Sequence, residues 1–148
     1  MQPQEKKLEA LGTIIADDGL TVLSLNTVDP TSNLLSRLRS PDASVQVNYT
    51  EVLILMKDGR EIPAKFLLKD IDLDLAFVLP ISESQEVNDG VSFSKVPQKI
   101  NASEKPLQVL DEVVSISKLG RNLYRQSTLR RGWVNAVIEK PRKYYVIE

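Results

Sequence analysis

The feature that most restricts the fold of this chain occurs twice: an Asp-Gly turn set between apolar residues on alternate positions. In residues 12–29, GTIIADDGLTVLSLNTVD, Ile14 and Ile15 lead into Asp17-Asp18-Gly19, and Leu20, Val22 and Leu23 lead out. In residues 58–80, DGREIPAKFLLKDIDLDLAFVLP, Asp58-Gly59 opens onto Ile62, Ala64, Phe66 and Leu68, with Leu73, Leu75 and Phe77 beyond. Alternation of period two puts apolar side chains on one face of a strand. A glycine between two such runs takes the positive φ of a tight hairpin turn. Two hairpins are expected, and everything between and after them has to be compatible with a sheet.

The rest of the chain agrees. Val45, Val47 and Tyr49 alternate with polar residues, and the apolar run from Val52 to Met56 ends at the second Asp-Gly turn, which predicts strand, turn, strand. Pro63 has no N–H for a ladder, so it is expected at an edge or an outward-facing position. Leu73 to Leu79 reads as the next strand, and Val91 to Val96 as the only strand in the turn-rich residues 81–106. Val109 to Ile116, Ser127 to Ile138 and Lys143 to Ile147 supply the strands of a second unit. Helical expectations are slight: Glu5 to Leu11, good helix formers stopped by Gly12, and one turn around Leu34, Leu35 and Leu38. The fold class is therefore all-β, sandwich or barrel. The expected organisation is an N-terminal helix or tail at residues 1–11, a barrel at 12–96, a connector at 97–106 and a partial second barrel at 107–148.

Composition narrows the class without choosing a function. The chain has 148 residues, 42% hydrophobic and 26% charged, close to globular averages. No apolar run is long enough for a spanning helix, so no membrane span is expected. The N-terminus, MQPQEKKLEALG, lacks the apolar segment of a signal peptide, leaving a cytoplasmic protein or one whose targeting peptide lies outside this sequence. With no Cys, disulfides and thiol chemistry are excluded. Charge is uneven: residues 1–112 hold 11 Lys and Arg against 18 Asp and Glu, a balance of −7, while residues 113–148 hold 8 against 2, a balance of +6. A split of this kind can mark an anionic partner, but solvated faces are its ordinary meaning.

A family resemblance follows from the residues themselves. Gly12-x-Ile14-Ile15-x-x-Asp18-Gly19 with Leu23-Ser24-Leu25-Asn26-x-Val28, and Asp58-Gly59-Arg60-Glu61-x-x-Ala64-Lys65 with Asp74-Leu75-Ala76, resemble the trypsin-like serine proteases of the HtrA/Deg type. The first stretch of that family ends in the catalytic His, and the second supplies the catalytic Asp. By resemblance, Asp74 stands at the Asp position and Asn26 at the His position. No His occurs anywhere in the sequence. Residues 110–116 resemble the opening strand of the family's second barrel. Thr128-x-x-Arg131-Gly132-Trp133-Val134-Asn135-Ala136 resembles its next strand, and Glu148 comes before any nucleophile segment. The implied fold is a trypsin-like N-terminal barrel with the first strands of an incomplete second one. The family's usual setting implies a periplasmic or extracytoplasmic location.

The site chemistry implied is that of a degenerate triad, with no intact catalytic residue. A serine protease uses an imidazole to take and return the proton, a carboxylate to orient it, and an oxyanion hole. An amide does not titrate near neutral pH, so Asn26 cannot replace the imidazole, although its N–H can be donated to Asp74. Asn26 and Asp74 are expected to face each other from neighbouring strands or strand ends. The plainer reading of Asn26 is a turn residue. Asp70, Asp72 and Asp74 form D-x-D-x-D, but the EF-hand positions for Gly and Glu are Leu75 and Ile81, so no metal is expected.

Ser92 to Lys95 and Ser115 to Lys118 match S-x-x-K without the segments that accompany it in Ser-Lys hydrolases. No Gly-rich phosphate loop is present, and no cofactor is expected. Trp133, Tyr124, Tyr144 and Tyr145 lie among basic residues, but on strand-like runs where barrel core accounts for them, so nucleic acid is not the expected partner. The leading reading is a catalytically inactive trypsin-like domain or fragment that acts in protein interaction or scaffolding. The unclosed second barrel predicts a protein partner or homo-oligomer through residues 109–148, with an apolar inner face that includes Val114, Ile116, Val134, Val137 and Val146. Two alternatives stand beside it. One is the N-terminal part of a longer protease-like protein whose Ser and oxyanion hole lie downstream, with another base in place of His. The other is an unrelated small β-barrel binding module.

Overall fold

The structure is a computed structural model that describes residues 5–31, 48–84, 90–93 and 105–148. It divides into two compact units, Met1–Gln98 and Lys99–Glu148. The connector expected at 97–106 lies largely outside the described residues.

In the first unit, β1 (Thr13–Ile14) and β2 (Thr21–Ser24) form the first expected hairpin, and α1 (Leu25–Val28) follows directly. β3 (Leu53–Leu55) and β4 (Glu61–Asp70) form the second hairpin, and β5 (Leu75–Pro80) returns between β2 and β4. The antiparallel order β1-β2-β5-β4-β3 makes a curled half-barrel. Both turns use glycine as expected. Gly19 has φ 86° and Gly59 φ 89°. Gly19 has a second reason to lack a side chain, since a Cβ there would sit 2.6 Å from the Phe93 ring and from Pro80. Asp18 caps its turn by accepting the Leu20 N–H at 3.0 Å, and Asp58 accepts the Arg60 N–H at 3.1 Å.

Register explains the core. Thr21 lies opposite Val78, Leu23 opposite Ala76, and Ala64 opposite Pro80, so one face of β2, β4 and β5 carries the buried set Thr21, Ile62, Ala64, Ala76 and Val78. Burying the Thr21 hydroxyl is tolerable because it donates to the Gly19 carbonyl at 2.9 Å. A bulge between Phe66 and Leu68 shifts the phase of β4, so that Lys69 falls opposite Ala76 on this same face.

The second unit is a three-stranded antiparallel sheet in the order β6-β7-β8, with β6 (Glu112–Lys118), β7 (Ser127–Ile138) and β8 (Tyr144–Ile147). A 3-10 turn at Arg121–Leu123 joins the first two. Val134 is fully buried, and Gly132 is obligatory because a Cβ there would collide with the backbone of Glu148.

Several sequence expectations are corrected. Residues 5–11 form no helix. Seven residues cannot repay helix nucleation without packing, and Leu8 and Leu11 are exposed. Pro63 is not at a sheet edge, but it faces outward as expected, on the side of the strand opposite the buried Ile62 and Ala64. It sits in β4, between β3 and β5, and its missing N–H causes no loss because it faces the point where β5 stops, beside Ile81, whose N–H bonds the Pro63 carbonyl at 2.9 Å. Residues 91–93 carry no strand, and Phe93 serves instead as a buried plug beside Gly19; residues 94–96 lie outside the described part. Residues 48–50 are not strand, and 45–47, like the turn at 34–38, lie outside it.

Two corrections concern the second unit. Trp133, Tyr124 and Tyr144 are exposed and are not barrel core. The apolar face expected to be bare is also redistributed: Val114, Ile116 and Val146 are exposed, but Val134 is buried and Val137 half-buried. A register shift between Val134 and Ala136 puts Val137 on the same face as Val134.

Candidate functional site

Asn26 and Asp74, the residues expected by resemblance at triad positions, meet at one end of the half-barrel. Ser24, the last residue of β2, pairs with Leu75, the first of β5. The chains must separate just beyond this pair, β2 into α1 and β5 back through the turn at residues 71–74. Asp74 occupies that corner with φ 56°, in the left-handed region where Asp is among the few non-glycine residues found. Its carbonyl accepts the Leu25 N–H at 3.0 Å, one step past the ladder.

The Asp74 carboxylate binds both neighbours of Leu25. Its Oδ2 accepts the Ser24 hydroxyl at 2.8 Å, and its Oδ1 accepts the Asn26 backbone N–H at 2.8 Å. Residues 24–26 are thus held to the corner by three bonds while Leu25 is fully buried beneath them. The sequence expectation brought Asn26 to Asp74 through its side chain. The recorded contact is made by the backbone N–H, which every residue except proline carries. The Asn26 amide is exposed and neutral. Ser24, missed by the sequence reading, is a donor here, and a donor to a carboxylate is not thereby made a nucleophile, for which a base must take its proton. The available signal was its position two residues before Asn26 at a strand end.

A second cluster was also missed. Asp29, just past α1, is 7% exposed. Thr31 Oγ1 donates to its Oδ1 at 2.8 Å, and Lys69 Nζ lies 3.5 Å from its Oδ2. Lys69 also donates to the Tyr49 hydroxyl at 3.1 Å, and its ammonium stands 4.3 Å from the Tyr49 ring centre and 5.1 Å from that of Phe66. The bulge in β4 is what turns Lys69 inward to reach them. This cluster ties the segment after α1 to the sheet.

Asp70 and Asp72 do not join Asp74 at its corner bonds. Asp70 Oδ1 accepts the Leu73 N–H at 2.8 Å and shapes the turn. Among the described residues no group of acidic side chains is placed to hold a metal. Ser115 and Lys118, three apart in β6, project from opposite faces and make no dyad. At the second hairpin, the Arg60 guanidinium bonds Asp58 and holds its carboxyl below the usual carboxylate range, while Asp58 raises Arg60 in turn. Both side chains are half-exposed. Among the described residues no helix is long and apolar enough to cross a membrane.

No family model and no curated protein matches the chain. Solved structures do. The chain is similar to the crystal structure of the MamO protease domain from Magnetospirillum magneticum in its apo form, with a TM-score of 0.51 and 16% sequence identity. The match covers 90% of this chain and 58% of that one, so the chain spans little more than half the length of its structural neighbour. At that identity the likeness speaks for the fold alone: a distant trypsin-like β architecture, with a half-barrel and a second small sheet.

Proposed function

We propose that this chain is a catalytically inactive trypsin-like domain that acts by binding protein. One observation carries the reading. Asp74, which the resemblance aligns with the family's Asp, accepts the backbone N–H of Asn26, which the resemblance aligns with its His. Corner and carboxylate are kept, but the group that would move a proton is replaced by a neutral amide. The Asp74 carboxylate then serves as an acceptor for Ser24 and Asn26, a structural duty. What remains for function is surface.

The length of the neighbour supports one second reading, in which this chain is the N-terminal part of a longer protease-like protein whose Ser and oxyanion hole lie downstream. That protein would still require a base other than Asn26.

Labelling with a fluorophosphonate probe tests the proposal. No time-dependent modification is expected. Stoichiometric labelling of a single serine, lost on prior heat denaturation, would overturn it.

A further inference from the structure

The strand register of the second unit gathers exposed apolar side chains on one sheet face. Ile116 lies opposite Leu129, Val114 opposite Arg131, and Glu112 opposite Trp133, and paired residues share a face. Past the bulge, Ala136 opposite Val146 and Ile138 opposite Tyr144 continue it. Val114, Ile116, Leu129, Trp133, Tyr144 and Val146 are between 41% and 75% exposed. With whole aromatic side chains of roughly 150–250 Å² and smaller aliphatic ones, these six expose on the order of 600 Å², the upper limit for the largest patch on an ordinary monomer.

We infer that this face is the contact between two copies of the chain, packed sheet on sheet about a two-fold axis. The inference rests on the protein-binding reading and names the partner. Area favours it: adding Ile138 and the Glu112–Arg131 pair brings the face to about 700–800 Å² per copy, which matches the roughly 800 Å² per partner of a standard interface. The ion pair within the face is bidentate, with Arg131 Nε at 2.7 Å and Nη2 at 3.0 Å from the Glu112 carboxylate, so it cancels locally. Arg131 also stands over the Trp133 ring at 6.0 Å. The face also carries Glu148, opposite Trp133, whose carboxylate accepts the Asn135 amide at 2.7 Å, and an apolar sheet face can pack on its own copy about a two-fold axis. Another exposed apolar group, Leu67, Leu68, Ile71 and Leu73, is flanked by Asp70 and Asp72.

Trp133 is the only tryptophan in the chain, so the interface carries its own reporter. Sedimentation velocity is run on the full chain from low micromolar to submillimolar concentration, with Trp emission recorded on the same samples. The mass is expected to double with concentration while the emission moves to the blue. Ile116→Lys with Leu129→Glu, both at exposed positions and with folding checked by the far-UV spectrum, is expected to remain monomeric; Leu67→Asp is expected to dimerise normally. A monomer at every concentration, a dimer whose Trp emission does not move, or a dimer that survives the double substitution would each overturn the inference. So would a monomer whose emission responds only to single-stranded DNA. A monomer that resists the fluorophosphonate removes this inference and leaves the protein-binding reading; a labelled serine in a dimeric chain does the reverse.

Discussion

Replacing Asp74 separates the structural duty of its carboxylate from any catalytic one. Asp74→Ala removes the acceptor for the Ser24 hydroxyl and for the Asn26 N–H, both at 2.8 Å. Hydrogen bonds to a charged group contribute about 1.5–3 kcal/mol each when shielded. These two are near the surface, so about 1 kcal/mol each is the appropriate scale. Alanine at φ 56° adds strain of about 1 kcal/mol. The expected loss is about 3 kcal/mol, a drop of roughly 10 °C or more in the melting of a unit this size. Asp74→Gly loses the same bonds without the strain and should be about 1 kcal/mol more stable than Asp74→Ala. Asp74→Asn tolerates the conformation and keeps an oxygen for the Asn26 N–H, so it should cost about 1 kcal/mol. Far-UV circular dichroism in urea gives the midpoints. Because the chain has two compact units, amide exchange at Leu25 and Asn26 identifies which transition belongs to the first. An Asp74→Ala midpoint indistinguishable from wild type, or a glycine variant less stable than the alanine one, would refute the reasoning.

Gly19→Ala should destabilise by about 3 kcal/mol or more, combining left-handed strain with a clash against Phe93 and Pro80, while Gly59→Ala, with open space around it, should cost only about 1–2 kcal/mol; thermal melts of the pair check the difference. Lys69→Met leaves the buried Asp29 carboxylate without its ammonium and should cost about 1–3 kcal/mol by urea midpoint. Asp58 has a depressed folded pKa, so its contribution is present above the unfolded value and is lost as pH falls through the folded one. Arg60→Ala should move the Asp58 titration back up toward the ordinary aspartate range in a side-chain NMR titration, with little change in melting temperature, since the pair is exposed.

The sequence carried the hairpins because their determinants are local: an Asp-Gly turn and period two are enough to fix β1-β2 and β3-β4. It carried β7 at full length for the same reason. It failed where a single inserted residue changes phase. The bulge at Phe66/Leu68 turns Lys69 toward Asp29, and the shift between Val134 and Ala136 moves Val137 to the other face; neither leaves a mark in composition. Aromatic content misled as well, since Trp133 and Tyr144 fit a strand equally well on either face and only the pairing register decides. At the candidate site, the meeting of Asn26 with Asp74 was legible through family resemblance. Its chemistry was not, because a backbone donor and the Ser24 hydroxyl are invisible to motif spacing.

Turnover of a fluorogenic peptide mixture, measured side by side for the wild-type chain and Asp74→Asn, tests the central claim most directly. The account predicts no release above buffer for either protein. Sustained turnover by the wild-type chain that Asp74→Asn abolishes would show that this carboxylate still serves a catalytic base, and would contradict it.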